Sequence, residues 1–129
     1  MTPETPVVPV SWGELVDKIT ILEIKRERLA SPAAVANAVR ELDALMAVFG
    51  PYQDRIVAEK AALSEVNRRL WDIEDAIRAK ESQQDFGAEF VALARSVYHV
   101  NDERGAAKAA VNKALNSELV EEKNYTKYR

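Results

Sequence analysis

The sequence predicts an all-α fold: two antiparallel helical hairpins, one of them long and coiled-coil-like, in a helical bundle that self-associates. Three observations carry this expectation. Breakers are scarce, with 4 Gly and 5 Pro in 129 residues, and three of the prolines are Pro3, Pro6 and Pro9. Apolar residues recur at 3-4 spacing over stretches far longer than a strand. Helix-start signals at Ser11 and Ser31, and a stop at Gly50-Pro51, cut the chain into helix-sized pieces.

Residues 1–10 read as an extended arm, because Pro3, Pro6 and Pro9 fix φ and remove backbone donors. Val7, Val8 and Val10 could still lie against the body as a short extended arm. Ser11 then opens a helix over 12–30, with Glu14 completing an S-x-x-E capping box. Leu15, Ile19, Leu22 and Leu29 form its stripe, and Val16, Ile21 and Ile24 widen it, so this helix should be contacted on more than one side. Ser31-Pro32 starts a second helix at once, with Val35, Val39, Leu42, Met46 and Phe49 inward. The third spans 52–81, with Ile56, Leu63, Val66, Leu70, Ile73 and Ile77 as a coiled-coil-like seam. Asp85 caps the fourth, over 86–115, which turns Phe86, Phe90, Leu93, Val97, Val100, Ala107 and Val111 inward. Leu63, Leu70, Ile73, Leu93 and Val97 should be almost fully buried. The short polar link between these two helices forces an antiparallel hairpin longer than the first pair can cover, and a second copy of the chain is the simplest cover for the remainder.

Composition bounds function. Apolar residues make up 47% and charged residues 30%, as in an ordinary globular domain, and residues 1–129 read as one helical domain. The net charge of -3 comes from 18 basic and 21 acidic residues mixed along the length, without the basic block of a nucleic-acid or anionic-membrane binder. The absence of Cys excludes disulfides and thiol chemistry. MTPETPVVPV is not patterned as a signal peptide, and no apolar run approaches the ~20 residues that span a bilayer, so the cytoplasm is the expected location.

Arg104 falls on the stripe of the fourth helix, between Val100 and Ala107, where an apolar side chain is expected. A hairpin turning near Gln83 sets Arg104 opposite Leu63 and Ser64, and Asn101 opposite Val66 and Asn67. Asn67, Asn101 and Arg104 would then form a polar layer in an apolar seam. A buried guanidinium needs a carboxylate or an anionic ligand, since an uncompensated charge costs several kcal/mol. The carboxylate candidates are Asp17 and Glu23, or Glu121 and Glu122. The layer is either a register-setting core feature or a ligand site. The tail 117–129 is expected to dock through Leu119, Val120 and Tyr125, and Glu121, Glu122 and Lys123 could fold over the layer to complete a site. Asp72 and Asp75 share a helix face that could hold Mg²⁺, but no further ligands are identifiable, and Asp72 is expected to pair with Arg95. No metal or cofactor is called for. The lone His99 stands in no nucleophilic triad.

The segments PVSWGELVDKITILEIK (9–25), LWDIEDAIR (70–78), FVALARSVYHVNDERGAAK (90–108) and LVEEKNY (119–125) resemble an uncharacterised bacterial family of short helical proteins, known only as a domain of unknown function. The resemblance implies a bacterial source and a self-contained domain, and supplies no activity or catalytic residue. From the residues themselves, the leading expectation is a non-catalytic interaction or adaptor protein that forms homo-oligomers, with possible protein partners. The alternative is a protein or enzyme that binds an anionic small molecule around Arg104.

Overall fold

A computed structural model describes residues 1–128; residue 129, the end of the expected docking tail, lies outside the described residues. The fold is all-α: α1 (Trp12–Arg28), α2 (Pro32–Phe49), a 3-10 segment (Gly50–Arg55), α3 (Val57–Ser82) and α4 (Ala88–Ala114).

Helix α1 is the middle layer. It packs against α2 on one side and against α3 and α4 on the other, which explains why its apolar stripe is so wide. Leu15, Val16, Ile19 and Leu22 of α1 join Ala38, Leu42 and Phe49 of α2, Ile56 and Leu63, and Val111 and Leu115 in one buried cluster. A second, smaller cluster of Val66, Leu70 and Val100 lies further along the hairpin.

Local chemistry sets the boundaries. Ser11 accepts from the Glu14 amide at 3.1 Å, and Ser31 accepts from the Ala34 amide at 3.3 Å, with Pro32 opening α2. The capping box at Ser11 is only half made, because the Glu14 carboxylate is taken by Lys108. Gly50-Pro51 does stop α2, but the chain continues as a 3-10 turn, and α3 begins at Val57 rather than at 52. The fully buried Ile56, at φ -138° and ψ 40°, breaks the turn and anchors it in the core. Asp85 does not cap α4 as expected. Its side chain accepts from Gly87 inside the link, and the helix starts at Ala88. Gln84 at the end of α3 and Asn116 at the end of α4 adopt φ of 53° and 51°. Each is followed by an amide that reaches back to close the helix end: Asp85 to the Lys80 carbonyl at 3.0 Å, and Ser117 to the Asn112 carbonyl at 2.8 Å.

The N-terminus of α1 is seated on the end of α4. The Gly13 amide donates to Asn112 Oδ1 at 2.6 Å and the Trp12 amide to Ser117 Oγ at 3.2 Å, so α4 and the turn after it supply partners for donors that a helix start leaves open. The approach is close enough that a Cβ on Gly13 would come within 2.5 Å of the Lys108 carbonyl oxygen.

Three expectations fail, the first because α1 and α2 cover only the base of the hairpin. Leu63 and Leu70 are buried, but Ile73, Leu93 and Val97 are only half-buried. Asp72 pairs not with Arg95 but with Arg28 at the end of α1, at 2.6 Å. Val7, Val8 and Val10 of the arm are exposed and do not lie against the body.

Leu63→Ala should cost about 2–5 kcal/mol through lost transfer energy and a cavity. Gly13→Ala should cost about 1–3 kcal/mol by overpacking α1 against α4. Urea melts of the two variants read both values directly; a Gly13→Ala protein as stable as the parent would show that the contact relaxes freely.

Candidate functional site

The polar layer foreseen at Arg104 exists, and α1 supplies its centre. Asp17 and Thr20 lie one helical turn apart, among the fully buried Val16 and Ile19, on the face turned to the hairpin. Arg104 reaches Asp17 with two parallel bonds, Nε to Oδ1 at 2.9 Å and Nη2 to Oδ2 at 2.5 Å. Asn67 Nδ2 donates to the same Oδ1 at 2.9 Å and to Thr20 Oγ1 at 2.8 Å, and Thr20 donates in turn to the Asp17 carbonyl at 2.7 Å. The Asp17 side chain is 2% exposed and that of Arg104 31%, so the guanidinium sits at the rim and the carboxylate inside. The bonds it donates to Asp17 hold the guanidinium above its ordinary range against the opposing effect of burial.

One turn further along α4, Lys108 carries a second layer. Its side chain is 10% exposed, and Nζ donates to Glu14 Oε2 and Glu121 Oε2, both at 2.8 Å. Burial pushes this ammonium down, but the bonds to Glu121 and Glu14 outweigh it and hold it above the usual lysine value. Lys123 Nζ closes on the other oxygen of Glu121 at 2.7 Å. Held by hydrogen bonds from Lys108 and then Lys123, the Glu121 carboxyl is lowered to about 2.

These pairs bring the tail back along α4. It is held by charge and by rings rather than by the apolar residues expected to dock it: Leu119, Val120 and Tyr125 are exposed. The Tyr128 hydroxyl donates to Asp102, and its ring lies 4.9 Å, edge-on, from both Tyr98 and His99. Between α4 and the tail lies a cavity of about 590 Å³. Arg104, Lys108 and Lys123 line it, with Asn101, Asp102 and Thr126 as polar wall and three tyrosines as rings.

Of the residues singled out in the sequence, Asn67 and Arg104 meet through Asp17, and Glu121 and Lys123 come to the same stretch of α4. Asn101 does not join Asn67; it is exposed on the cavity wall. The link 83–87 centres the turn on Asp85, two residues beyond Gln83, and the Arg69–Glu103 pair at 2.9 Å reflects that later register. Glu122 is exposed and does not line the cavity, and Glu121, bonded to Lys108 and Lys123, stands behind the lining rather than in it. Lys108 and Glu14 were not foreseen as members. A signal for Lys108 was present, since it lies four residues beyond Arg104 on the same stripe. Among the described residues, no group of three or more His, Asp or Glu side chains is placed to hold a metal ion.

Arg104→Met should cost about 3–5 kcal/mol, because it leaves the Asp17 carboxylate buried with Asn67 as its remaining side-chain donor, whereas Asp17→Leu/Arg104→Met together should cost less than the single change. A double-mutant cycle from chemical denaturation checks the order; a double variant worse than the Arg104→Met single would overturn it.

The depressed Glu121 carboxyl predicts the pH response of the tail. Its contribution is fully present above its ordinary value of 4.5 and is lost as pH falls through about 2. The Glu121 side-chain carboxyl carbon followed by NMR should titrate with a midpoint near 2. A midpoint at the ordinary glutamate value would mean that Glu121 is unpaired.

No curated protein and no solved structure matches the chain. A family model does: the match runs over residues 7–128, from the N-terminal arm through both polar layers to the docked tail. The chain therefore belongs to the family of unknown function DUF6165.

Proposed function

We propose that this protein is a non-catalytic helical interaction protein of the bacterial cytoplasm, and that it acts as a homodimer through the free end of its long hairpin. The observation that carries the reading is where coverage stops. The last ion pairs from α1 to the hairpin are Glu27 with Arg68 and Arg28 with Asp72. From Asp72 to Ser82, α3 runs on for about 15 Å at 1.5 Å per residue, with α4 alongside. Over that length Ile73, Ile77, Phe90, Leu93 and Val97 are half-buried, and Phe86 and Val91 are exposed. Apolar residues at helical spacing, covered on one side only, are half of a four-helix bundle.

A second copy suits this surface in charge as well as in shape. Glu74, Asp75 and Glu81 flank the stripe with no ion pair among the described residues, and so does Arg78, while Arg95 bonds only to the Tyr98 hydroxyl at 3.4 Å. Unpaired charges of both signs beside an apolar seam allow a two-fold partner to set acid against base. Two features are compatible with the cytoplasm: no helix of the described residues is long and apolar enough to cross a membrane, and the chain has no cysteine.

Sedimentation equilibrium at micromolar concentration should report a dimer, and Leu93→Glu should give a folded monomer. A parent protein that stays monomeric would refute the reading. A dimer indifferent to Leu93→Glu would place the interface elsewhere and refute the hairpin as its seat.

A further inference from the structure

We infer that the cavity between α4 and the tail is a binding site for a small anion, phosphate or carboxylate, carried on a flat ring. The inference is independent of the dimer, because the cavity lies at the covered end of the hairpin.

The charge that faces the cavity differs from the charge around it. Arg104, Lys108 and Lys123 line it, whereas their partners Asp17, Glu14 and Glu121 do not. Asp102 is the one carboxylate in the lining, and it accepts from the Tyr128 hydroxyl. The acids stand behind the cations, holding them in place and charged, and the cationic heads border the space.

Donor capacity is left over. Asp17 takes Arg104 Nε and Nη2, which leaves Nη1 without a hydrogen-bond partner among the described residues. Lys108 carries three donors and spends two, on Glu14 and Glu121. A phosphate or carboxylate oxygen in the cavity would meet a guanidinium edge and an ammonium that are already desolvated and oriented, so little ordering remains to be done on binding.

The ring half of the ligand follows from the tyrosines. Tyr98 is packed against Tyr128 and His99, a fixed aromatic wall. Tyr125 is 70% exposed, and Lys123 Nζ lies 5.4 Å from its ring centre. An exposed ring at the mouth of a cationic cavity offers a stacking face to a flat group whose anion points inward. Asn101 and Thr126 remain on the wall to bond polar substituents. At about 590 Å³ the space falls within the range of small-molecule pockets.

The test uses the full chain with phenyl phosphate, benzoate, inorganic phosphate and phenol as probes, titrated by NMR to about 10 mM, beyond the weak end of specific binding. Phenyl phosphate or benzoate should shift amides of 100–108 and 121–128, and should bind about tenfold more tightly than inorganic phosphate or phenol, in keeping with one added ring contact or one added charge contact. Which of the two binds more tightly distinguishes a phosphate from a carboxylate ligand. Lys123→Met should weaken binding about tenfold, and Tyr125→Ala should erase the preference for phenyl phosphate over inorganic phosphate. Both side chains lie on the tail, so the helical core stays intact, whereas an Arg104 variant would also strand Asp17. The inference is overturned if no ring-bearing anion shifts those amides, if inorganic phosphate binds as tightly as phenyl phosphate, or if binding ignores both substitutions.

Discussion

The carboxylate of Asp17 is the point on which three helices depend. It stands on α1, is bonded by Asn67 of α3 and is gripped in parallel by Arg104 of α4. An apolar seam tolerates sliding by a turn, since one leucine packs much as another does. A buried carboxylate does not, because each register that fails to present Asn67 and Arg104 together leaves a charge unsatisfied at a cost of several kcal/mol. The layer therefore fixes the height of α1 on the hairpin and, with it, everything that hangs from α1.

Two consequences follow from that height. At its start, α1 is brought against the end of α4, where Asn112 and Ser117 meet the open amides of Gly13 and Trp12 and only a glycine fits beside the Lys108 carbonyl. At its end, α1 runs out beside Asp72, and the hairpin continues uncovered. The same register that perfects one end of the molecule leaves the other bare. An exposed apolar stripe is a cost in a monomer, and that cost beyond a well-packed base is what motivates the proposal of a second copy.

Much of this was legible in the residues. Caps at Ser11 and Ser31 and the stop at Gly50-Pro51 are local chemistry and lie where the sequence sets them. The width of the α1 stripe announced a helix covered on both sides, and Arg104 stood out as a cation on an apolar stripe, with Asp17 among its possible partners. What was hidden depends on loops and on tertiary reach. The link 83–87 displaces the hairpin register, separating Asn101 from Asn67, and no spacing rule reveals where such a link turns. Ile56 reads as part of the α3 seam, yet it is buried ahead of the helix as the anchor of the 3-10 turn. Burial of Ile73, Leu93 and Val97 was overstated because periodicity reports which face is apolar and not whether anything covers it.

The tail inverts the usual logic of a docked terminus. Its apolar side chains, Leu119, Val120 and Tyr125, point to solvent, while Glu121 and Lys123 point to the body. A segment held by apolar burial opens only with the core beneath it. One tied to the body, among the described residues, by the Lys108–Glu121 ion pair and by the contacts of Tyr128 can lift without unpacking the apolar core, and salt weakens the charged part of that tie. The Asp17 layer beneath does not share that freedom, because its carboxylate is screened from solvent and tied to two other helices. The proposed cavity therefore has a floor fixed by the Asp17 layer and a wall, the tail, that is fixed less firmly.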